Sequence, residues 1–207
     1  MDREAFVRRL ARWRQWAPPS VFVIVLLPLV LVGAGIVPVV RFTREQIDIT
    51  IRPHSVEVSG VYVYENPLPI AWRQGLKTPF PDNPGQTPPA AVELAESFAP
   101  ASAALLPLHA VWLRGEPYFE AAVPARGAAF VRVRFRQYVA GHRGVYLLTT
   151  TRPWRRALEY GKYVLHCEGV RITGSNYPLS GDPPSFERAN FFPDADWTFT
   201  WEETHAQ

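Results

Sequence analysis

Apolar and polar residues follow two different patterns along the chain, and the change between them falls near residue 40. From Trp16 to Val40 no residue carries a charge, and the run that starts at residue 21 is VFVIVLLPLVLVGAGIVPVV. An apolar helix needs ~20 residues to cross the ~30 Å hydrocarbon core of a bilayer. The sequence therefore predicts one transmembrane helix over residues 16–40.

Charges on its two sides predict how this helix is oriented. Residues 1–15 hold five arginines and two acids, whereas residues 41–48 hold two arginines and two acids. The positive-inside rule then places residues 1–15 in the cytoplasm and residues 41–207 outside it. A cleaved signal peptide is the alternative, although its apolar region is normally ~7–15 residues long and ends at a small-residue cleavage site.

Three sets of residues in this N-terminal part are expected to make contacts. Gly33, Ala34 and Gly35 form a smooth patch against which a helix of another integral membrane subunit can pack closely. Trp13 and Trp16 are expected at the cytoplasmic interface, where indole rings are enriched. Four arginines are expected to bind the headgroups of anionic lipids, namely Arg8, Arg9, Arg12 and Arg14.

Beyond residue 40 the apolar residues alternate with polar ones, with the period of two that is typical of β-strands with one buried face. The last of these strands carries Trp197, Phe199 and Trp201 on one face. The predicted strands span residues 46–51, 56–64, 70–76, 92–98, 104–113, 118–123, 130–138, 145–151, 158–166 with a continuation at 170–173, and 196–202. About nine or ten short strands without a long amphipathic helix favour an all-β domain, specifically an antiparallel β-sandwich, over residues 41–207.

The most regular strand alternates three apolar residues with Arg132, Arg134 and Arg136. A period of two places these guanidinium groups in a row, ~7 Å apart, on one face of the sheet. Guanidinium groups bind carboxylates and phosphates and stack on aromatic rings, so the row is a candidate contact surface. The alternative is a solvated face on which the arginines are paired with cross-strand acids such as Glu116 or Glu120.

A proline-rich segment, TPFPDNPGQTPP over residues 78–89, separates two of the predicted strands. Its five prolines cannot donate to a β ladder, so the segment is expected to be an extended surface loop. Such a loop is either a simple connector or a semi-rigid arm that lies on a partner, with Phe80 and Pro81 as candidate contacts.

Charge and motifs limit the possible functions. The whole chain carries a net charge of +3, all of which comes from residues 1–40, so residues 41–207 are neutral in sum and no nucleic-acid partner is expected. The single Cys167 is expected to be a small buried residue. The five histidines are scattered, and Asp194 with Asp196 provides too few oxygen ligands for calcium. The sequence therefore predicts no cofactor and no catalytic residues.

Two stretches carry a resemblance to a known class of proteins. The segment IDITIRPHSVEVSGVYVYENPLP with a following PFP, and later YLLTTTRPW, resemble an uncharacterised class of exported bacterial β domains of unknown function. The similarity covers roughly residues 46–166. The resemblance implies a β-sandwich outside the cytoplasm, here attached to a membrane anchor, and it implies no catalytic residues.

These observations favour a non-catalytic accessory or structural subunit of a larger bacterial membrane complex, such as a photosynthetic reaction-centre, light-harvesting or respiratory assembly. The alternative is a free-standing, membrane-anchored binding module for a peptide, a glycan or a soluble protein. A subunit should expose a large apolar patch when isolated, whereas a binding module should show a concave pocket. Residues 68–81 and 176–193 are the segments where either feature is expected.

Overall fold

The computed structural model describes residues 39–81, 85–99 and 105–204, and all structural statements below concern these ranges. The predicted transmembrane helix lies outside them, apart from its last two residues. Within the described ranges, no helix is both long enough and apolar enough to cross a bilayer. Val40, the last residue of the predicted helix, is only 1% exposed and packs in the core of the β domain.

In the described residues the chain forms thirteen strands and one short helix, which confirms the prediction of a mostly β fold. The strands are β1 (Arg41–Arg52), β2 (Ser55–Glu65), β3 (Trp72–Lys77), β4 (Val92–Ser97), β5 (Leu106–Pro107), β6 (Val111–Leu113), β7 (Glu116–Val123), β8 (Ala128–Tyr138), β9 (Arg143–Tyr146), β10 (Leu158–Cys167), β11 (Val170–Ser175), β12 (Ser185–Phe191) and β13 (Trp197–Glu203). A 3₁₀ helix, Leu148–Trp154, lies between β9 and β10.

The antiparallel β-sandwich predicted from the sequence holds at the level of a mostly β, largely antiparallel domain, but the described strands form three sheets, whereas a simple sandwich has two. The largest sheet has seven strands in the order β12-β10-β1-β2-β8-β4-β5, and the other two have three strands each, β11-β13-β9 and β3-β7-β6. Neighbouring strands are antiparallel except β1 and β10, which run parallel with Ile47 beside Tyr163. These two strands are more than a hundred residues apart in the chain, so no local turn signal indicates their direction.

The hydrophobic core takes residues from all three sheets. Three isoleucines of β1, at positions 47, 49 and 51, are fully buried on one face of the largest sheet. Trp197, Phe199 and Trp201 of β13 are buried as well, as their alternation predicts. The Tyr163 ring of the largest sheet meets the Trp197 ring of the second sheet edge to face, with 5.9 Å between their centroids.

The predicted strand over residues 104–113 is two short strands in different sheets. Within the described part of this segment, β5 pairs with β4 in the seven-stranded sheet, whereas β6 pairs with β7 in a three-stranded sheet. Pro107 has no N–H with which to extend the β5 ladder. The chain therefore leaves one sheet and enters the other between Pro107 and Val111.

The predicted strand over residues 145–151 ends early, and its threonines lie in the 3₁₀ helix. Thr150 and Thr151 donate their hydroxyls to the carbonyls three residues before them, at 2.9 and 3.0 Å. Asp196 accepts hydrogen bonds from both the backbone N–H and the hydroxyl of Thr149, at 2.9 and 2.7 Å. These bonds compete with strand pairing and override the β propensity of the run.

Candidate interaction sites

The arginine row lies on the outer face of the seven-stranded sheet, opposite to the isoleucines of the core. Its main partner is Glu57 of β2, whose carboxylate accepts hydrogen bonds from Arg134 Nε at 2.8 Å, Arg136 Nη2 at 3.1 Å and Arg52 Nη1 at 3.2 Å. The hydrogen bond from Arg134, followed by those from Arg136 and Arg52, lowers the pKa of the Glu57 carboxyl. Three cations therefore share one anion.

The acids that face this row are not those expected from the sequence. Glu93 of β4 lies directly opposite Arg134 in the ladder. Glu116 and Glu120 lie instead in β7, where they pair with Lys77 and Arg73. Because Arg52 also binds Glu168 at 2.8 Å, the three arginines around Glu57 are matched by the acids Glu57, Glu93 and Glu168.

Arg132 differs from the other two arginines of the row. Its cross-strand neighbours are Val61 and Ala95, and its Nε is buried with no hydrogen-bond partner in the described part of the protein. The row is therefore two paired arginines and one that is only partly satisfied. It is not a continuous field of positive charge.

An open groove of about 710 Å³ lies beside Arg134 and Arg136, at the ends of β2 and β8 and under residues 87–91. Its lining includes the two paired arginines, Glu57, Glu93 and the exposed ring of Tyr138. Among these charged groups, positive and negative charges are equal in number. The groove thus offers hydrogen-bonding groups of both signs and one aromatic face, without a net charge.

Phe80 and Pro81, the other candidate contacts, do not share a surface with the arginine row. Pro81 is buried, and the Phe80 ring packs edge to face on Phe135 with 5.1 Å between centroids. Phe135 alternates with the arginines along β8, so it points to the core side of the sheet. The other neighbour of Phe80 is Trp112, whose ring is stacked 6.2 Å away.

Six exposed apolar side chains belong to β5, β6 and the residues next to them in the chain or the ladder, and together we call them the apolar strip. Its members are Leu105, Leu106, Val111, Trp112, Leu113 and Tyr118. The three residues of β6 follow each other directly in the chain and are exposed by 63%, 44% and 51%. Burying one such side chain is worth ~1.5–3 kcal/mol, so the exposure of three consecutive apolar residues is a sign of an interaction surface.

The β6–β7 hairpin determines which backbone groups of β6 point toward the open edge of the sheet. Arg114 and Gly115 connect the strands with φ angles of +53° and +81°, as a two-residue type I′ turn requires. Leu113 and Glu116 next to the turn then form a hydrogen-bonded pair, and Trp112 and Pro117 form a non-hydrogen-bonded pair. The backbone N–H and C=O of Trp112 therefore point away from β7, toward the open edge.

The segments expected to carry an apolar patch expose only single side chains. Ile70 and Phe192 are exposed by 59% and 51%. Most of the other large apolar residues of those segments, including Trp72, Tyr177 and Leu179, pack against the core. Sequence reasoning missed the strip because residues 104–113 were interpreted as one half-buried strand.

A buried carboxyl, Glu45, was also missed by the sequence interpretation. It occupies the core face of β1 in line with the three isoleucines and is 3% exposed. The Tyr163 hydroxyl donates a hydrogen bond to its Oε1. Tyr62 lies opposite Glu45 on β2, and the Tyr62 and Tyr146 hydroxyls form a hydrogen bond of 2.8 Å that joins the seven-stranded sheet to β9.

Burial raises the pKa of the Glu45 carboxyl from 4.5 to about 7, and the hydrogen bond from Tyr163 opposes part of this increase. Burial, followed by the proximity of Glu45, also raises the pKa of Tyr163 well above its usual value, so its hydroxyl stays a donor. The signal was available in the sequence. Extending the alternation of Ile47 back by two residues places Glu45 on the apolar face.

The remaining candidate residues are dispersed. Cys167 is exposed, contrary to the prediction, because it is the last residue of β10, where the sheet ends. Asp196 accepts a hydrogen bond from the backbone N–H of Thr149. His142 Nε2 lies 3.4 Å from Glu203 Oε1 on the surface. Among the described residues, no group of three or more His, Cys, Asp or Glu side chains is arranged to hold a metal ion.

The predicted contacts of the N-terminal part lie outside the described residues. They are Arg8, Arg9, Arg12, Trp13, Arg14, Trp16, Gly33, Ala34 and Gly35. The structural findings therefore concern the β domain only.

Comparison with known proteins gives a likeness in fold. No protein-family model matches the chain, and no curated protein matches its sequence. A crystal structure of a candidate nutrient-binding protein from Legionella pneumophila is similar with a TM-score of 0.57 and 13% identity, over 79% of this chain and 67% of that one. An M1 zinc metallopeptidase from Deinococcus radiodurans gives a TM-score of 0.42 at 8% identity, over 79% of this chain and 39% of the peptidase.

Proposed function

We propose that the chain is a non-catalytic structural subunit of a bacterial membrane complex, and that its β domain contacts another protein chain through the apolar strip. The observation that carries this proposal is the exposure of Val111, Trp112 and Leu113, three consecutive residues of an edge strand. An apolar strip of this kind is costly for an isolated soluble surface and favourable once a partner covers it.

The anchor and orientation predicted from the sequence complete this proposal. The predicted transmembrane helix, which ends before the buried Val40, spans the inner membrane, residues 1–15 lie in the cytoplasm and the β domain lies in the periplasm. The small-residue patch at positions 33–35 packs on integral membrane subunits, and the N-terminal arginines bind anionic lipids. A photosynthetic or respiratory assembly is the kind of complex that such a subunit serves.

Gentle detergent extraction from native membranes, followed by size separation and mass spectrometry, tests the proposal. We expect the chain to migrate in stoichiometric amounts with other membrane proteins. The double variant Val111→Glu/Leu113→Glu should reduce this co-migration at least tenfold, since it places two charges in the covered surface. Ile70→Glu, at an equally exposed apolar residue away from the strip, is the matched control. Migration of the wild-type chain by itself would contradict the proposal.

The groove favours a second candidate function, that of a membrane-anchored binding module for a peptide, a glycan or a soluble protein. Its volume of about 710 Å³ lies within the ~300–1,000 Å³ that small-ligand sites occupy. The Legionella protein of similar fold is described as nutrient-binding, which agrees with this candidate. A thermal-shift screen with free amino acids, tripeptides and disaccharides tests it. A stabilising compound should lose its effect in Tyr138→Ala.

A further inference from the structure

The two ends of the seven-stranded sheet expose different side chains. The chain enters this sheet at Arg41, and the pairing register places the start of β1 level with the end of β2, the start of β8 and the end of β4. Because β10 runs parallel to β1, its first residue, Leu158, lies at the same end, opposite Phe191 of β12. We call this the entry end, and the side chains considered there are Arg41, Phe98, Arg126, Arg155, Arg156 and Phe192, all of them exposed.

Two phenylalanine rings extend from the entry end into solvent. Phe98 directly follows the last residue of β4, and Phe192 directly follows the last residue of β12. Their side chains are exposed by 47% and 51%. Neither ring belongs to the apolar strip, so the strip does not account for their exposure.

Four exposed arginines lie at the same end, and within the described ranges none of them forms an ion pair with an acid. They are Arg41, Arg126, Arg155 and Arg156. Glu65, the acid nearest to the start of β1, is already paired with Arg44 at 3.4 Å. The exposed acids Glu159 and Asp194 are fewer than the arginines, so the entry end carries an excess of positive charge.

The fold fixes the position of these arginines. The backbone N–H of Arg126 donates a hydrogen bond of 2.8 Å to the carbonyl of Leu68, which holds the turn before β8 against the loop after β2. Arg155 and Arg156 follow Trp154, whose ring lies 5.5 Å from the Tyr64 ring near the end of β2. The arginines therefore come from separate loops that converge on one end of the sheet.

The described residues at the opposite end of the sheet do not show this combination. The arginines at positions 52, 134 and 136 share Glu57 there. The exposed ring at that end, Tyr138, borders the groove. Exposed aromatic rings and arginines without acidic partners thus occur together at the entry end.

We propose that the entry end lies on the surface of an anionic lipid bilayer, with the two phenylalanine rings at the level of the headgroups and the four arginines on lipid phosphates. The inference rests on the membrane anchor of the proposed function, and it gives the β domain a second contact that is separate from the apolar strip. Guanidinium groups bind phosphate oxygens, and aromatic rings beside basic side chains are typical of membrane interfaces.

The place where the anchor joins the β domain supports a bilayer as the occupant. Val40 is 1% exposed in the core at the start of β1, and the apolar run that predicts the transmembrane helix ends directly before it. A residue extends the chain by at most ~3.6 Å. The entry end therefore has no linker that could hold it far from the headgroups, and its positive charge complements anionic lipids.

Fluorescence quenching on the full chain tests the inference. In a Cys167→Ser background, Phe192→Cys or Tyr138→Cys carries a bimane label, and the chain is reconstituted into phosphatidylcholine vesicles with about one quarter phosphatidylglycerol. The two positions are similarly exposed but lie at opposite ends of the sheet. A nitroxide on the lipid headgroups should quench the label at position 192 about threefold more strongly than the label at position 138, because the first lies among the headgroups.

The double variant Arg41→Gln/Arg156→Gln separates lipid binding from simple attachment to the anchor. Neither residue has a positive φ angle, so the substitutions introduce no backbone strain. They should lower the quenching at position 192 about twofold, as should vesicles of phosphatidylcholine alone. Arg143→Gln/Arg171→Gln, which removes two exposed arginines of β9 and β11, is the charge-matched control and should leave the quenching unchanged.

Equal quenching at positions 192 and 138 would overturn the inference, and so would quenching at position 192 that depends on neither the arginines nor the anionic lipid. The co-migration experiment reports separately on the proposed function. If the chain migrates with protein partners while the two labels are quenched equally, this inference fails and the proposed function stands. If the chain migrates by itself while quenching at position 192 is selective and arginine-dependent, the proposed function fails and this inference stands.

Discussion

At the scale of single residues, Glu45 occupies a position where the strand pattern requires an apolar side chain. Its pKa is about 7 in the folded protein and 4.5 without burial, so the folded state holds the proton more tightly than the unfolded state. The stabilising effect of that proton is fully present below pH ~4.5 and is lost as the pH rises through ~7. Ionisation at higher pH therefore opposes folding.

Glu45→Gln should remove this pH dependence. At pH 8 the variant should be more stable than the wild type by about 3 kcal/mol, since each pKa unit corresponds to ~1.4 kcal/mol. At pH 4.5 the two proteins should differ by less than ~1 kcal/mol, because the glutamine carbonyl still accepts the Tyr163 hydroxyl. Urea unfolding between pH 4.5 and 8 measures the difference. Tyr163→Phe is the comparison variant. It removes the hydrogen bond that lowers the pKa of the Glu45 carboxyl, so the loss of stability should extend to higher pH.

Two glycines that each lie inside a β-strand should differ in how much their substitution by alanine changes the stability of the protein. Gly161 lies opposite Glu45, and a Cβ there would come within 2.6 Å of the Tyr163 hydroxyl oxygen. The Tyr163 ring cannot retreat, because it is stacked on Phe186 with 4.5 Å between centroids. We expect Gly161→Ala to destabilise the protein by about 1–3 kcal/mol. Gly75→Ala in β3, where a Cβ meets open space, should be neutral or slightly stabilising. Equal unfolding midpoints for the two variants would contradict this account.

At the scale of elements, period-two alternation identifies strands that have one buried apolar face and one exposed polar face. It succeeds for β2, β8 and β13 because burial alone specifies them. It fails for β12, where the sequence predicted no strand, since four of its seven residues are exposed. The positive φ angle of Asn190, +50°, interrupts its alternation between Phe186 and Phe191. Such strands form because of local backbone conformation and pairing with strands that are distant in the chain. A period-two pattern contains neither kind of information.

Buried amides connect elements that the sequence pattern treats as separate. Gln137 lies on the core face of β8, and its Oε1 accepts a hydrogen bond of 2.9 Å from Gln86 in the proline-rich loop. Gln86 also exchanges hydrogen bonds with the backbone of Val145 in β9, at 3.0 and 3.2 Å. The described end of the loop is thereby fixed between two sheets. A glutamine on an apolar face was visible in the sequence, but its partner 51 residues away was not.

At the scale of the whole molecule, sequence reasoning located individual charges better than surfaces. The arginine row was found because alternation alone places its residues on one face. Its compensation by Glu57 and Glu93 depends on the pairing of β8 with β2 and β4, which no local signal specifies. Predicting the apolar strip also requires the strand pairing, because the strip lies where the chain passes from one sheet to another. Surfaces composed of several strands follow from topology, and topology was only partly predictable.

The single core that the three sheets share leads to a prediction about cooperativity. Residues 40–207 form one compact unit in which Val40 is buried against the β domain. A fragment of these residues should therefore unfold in urea in one step, with coincident transitions in far-UV circular dichroism and in tryptophan fluorescence. Starting the fragment at residue 42 should lower its stability by about 1–2 kcal/mol, because the apolar contacts of Val40 are lost. Transitions that separate by more than the fitting error would mean that the small sheets unfold independently, and the argument for a shared core would fail.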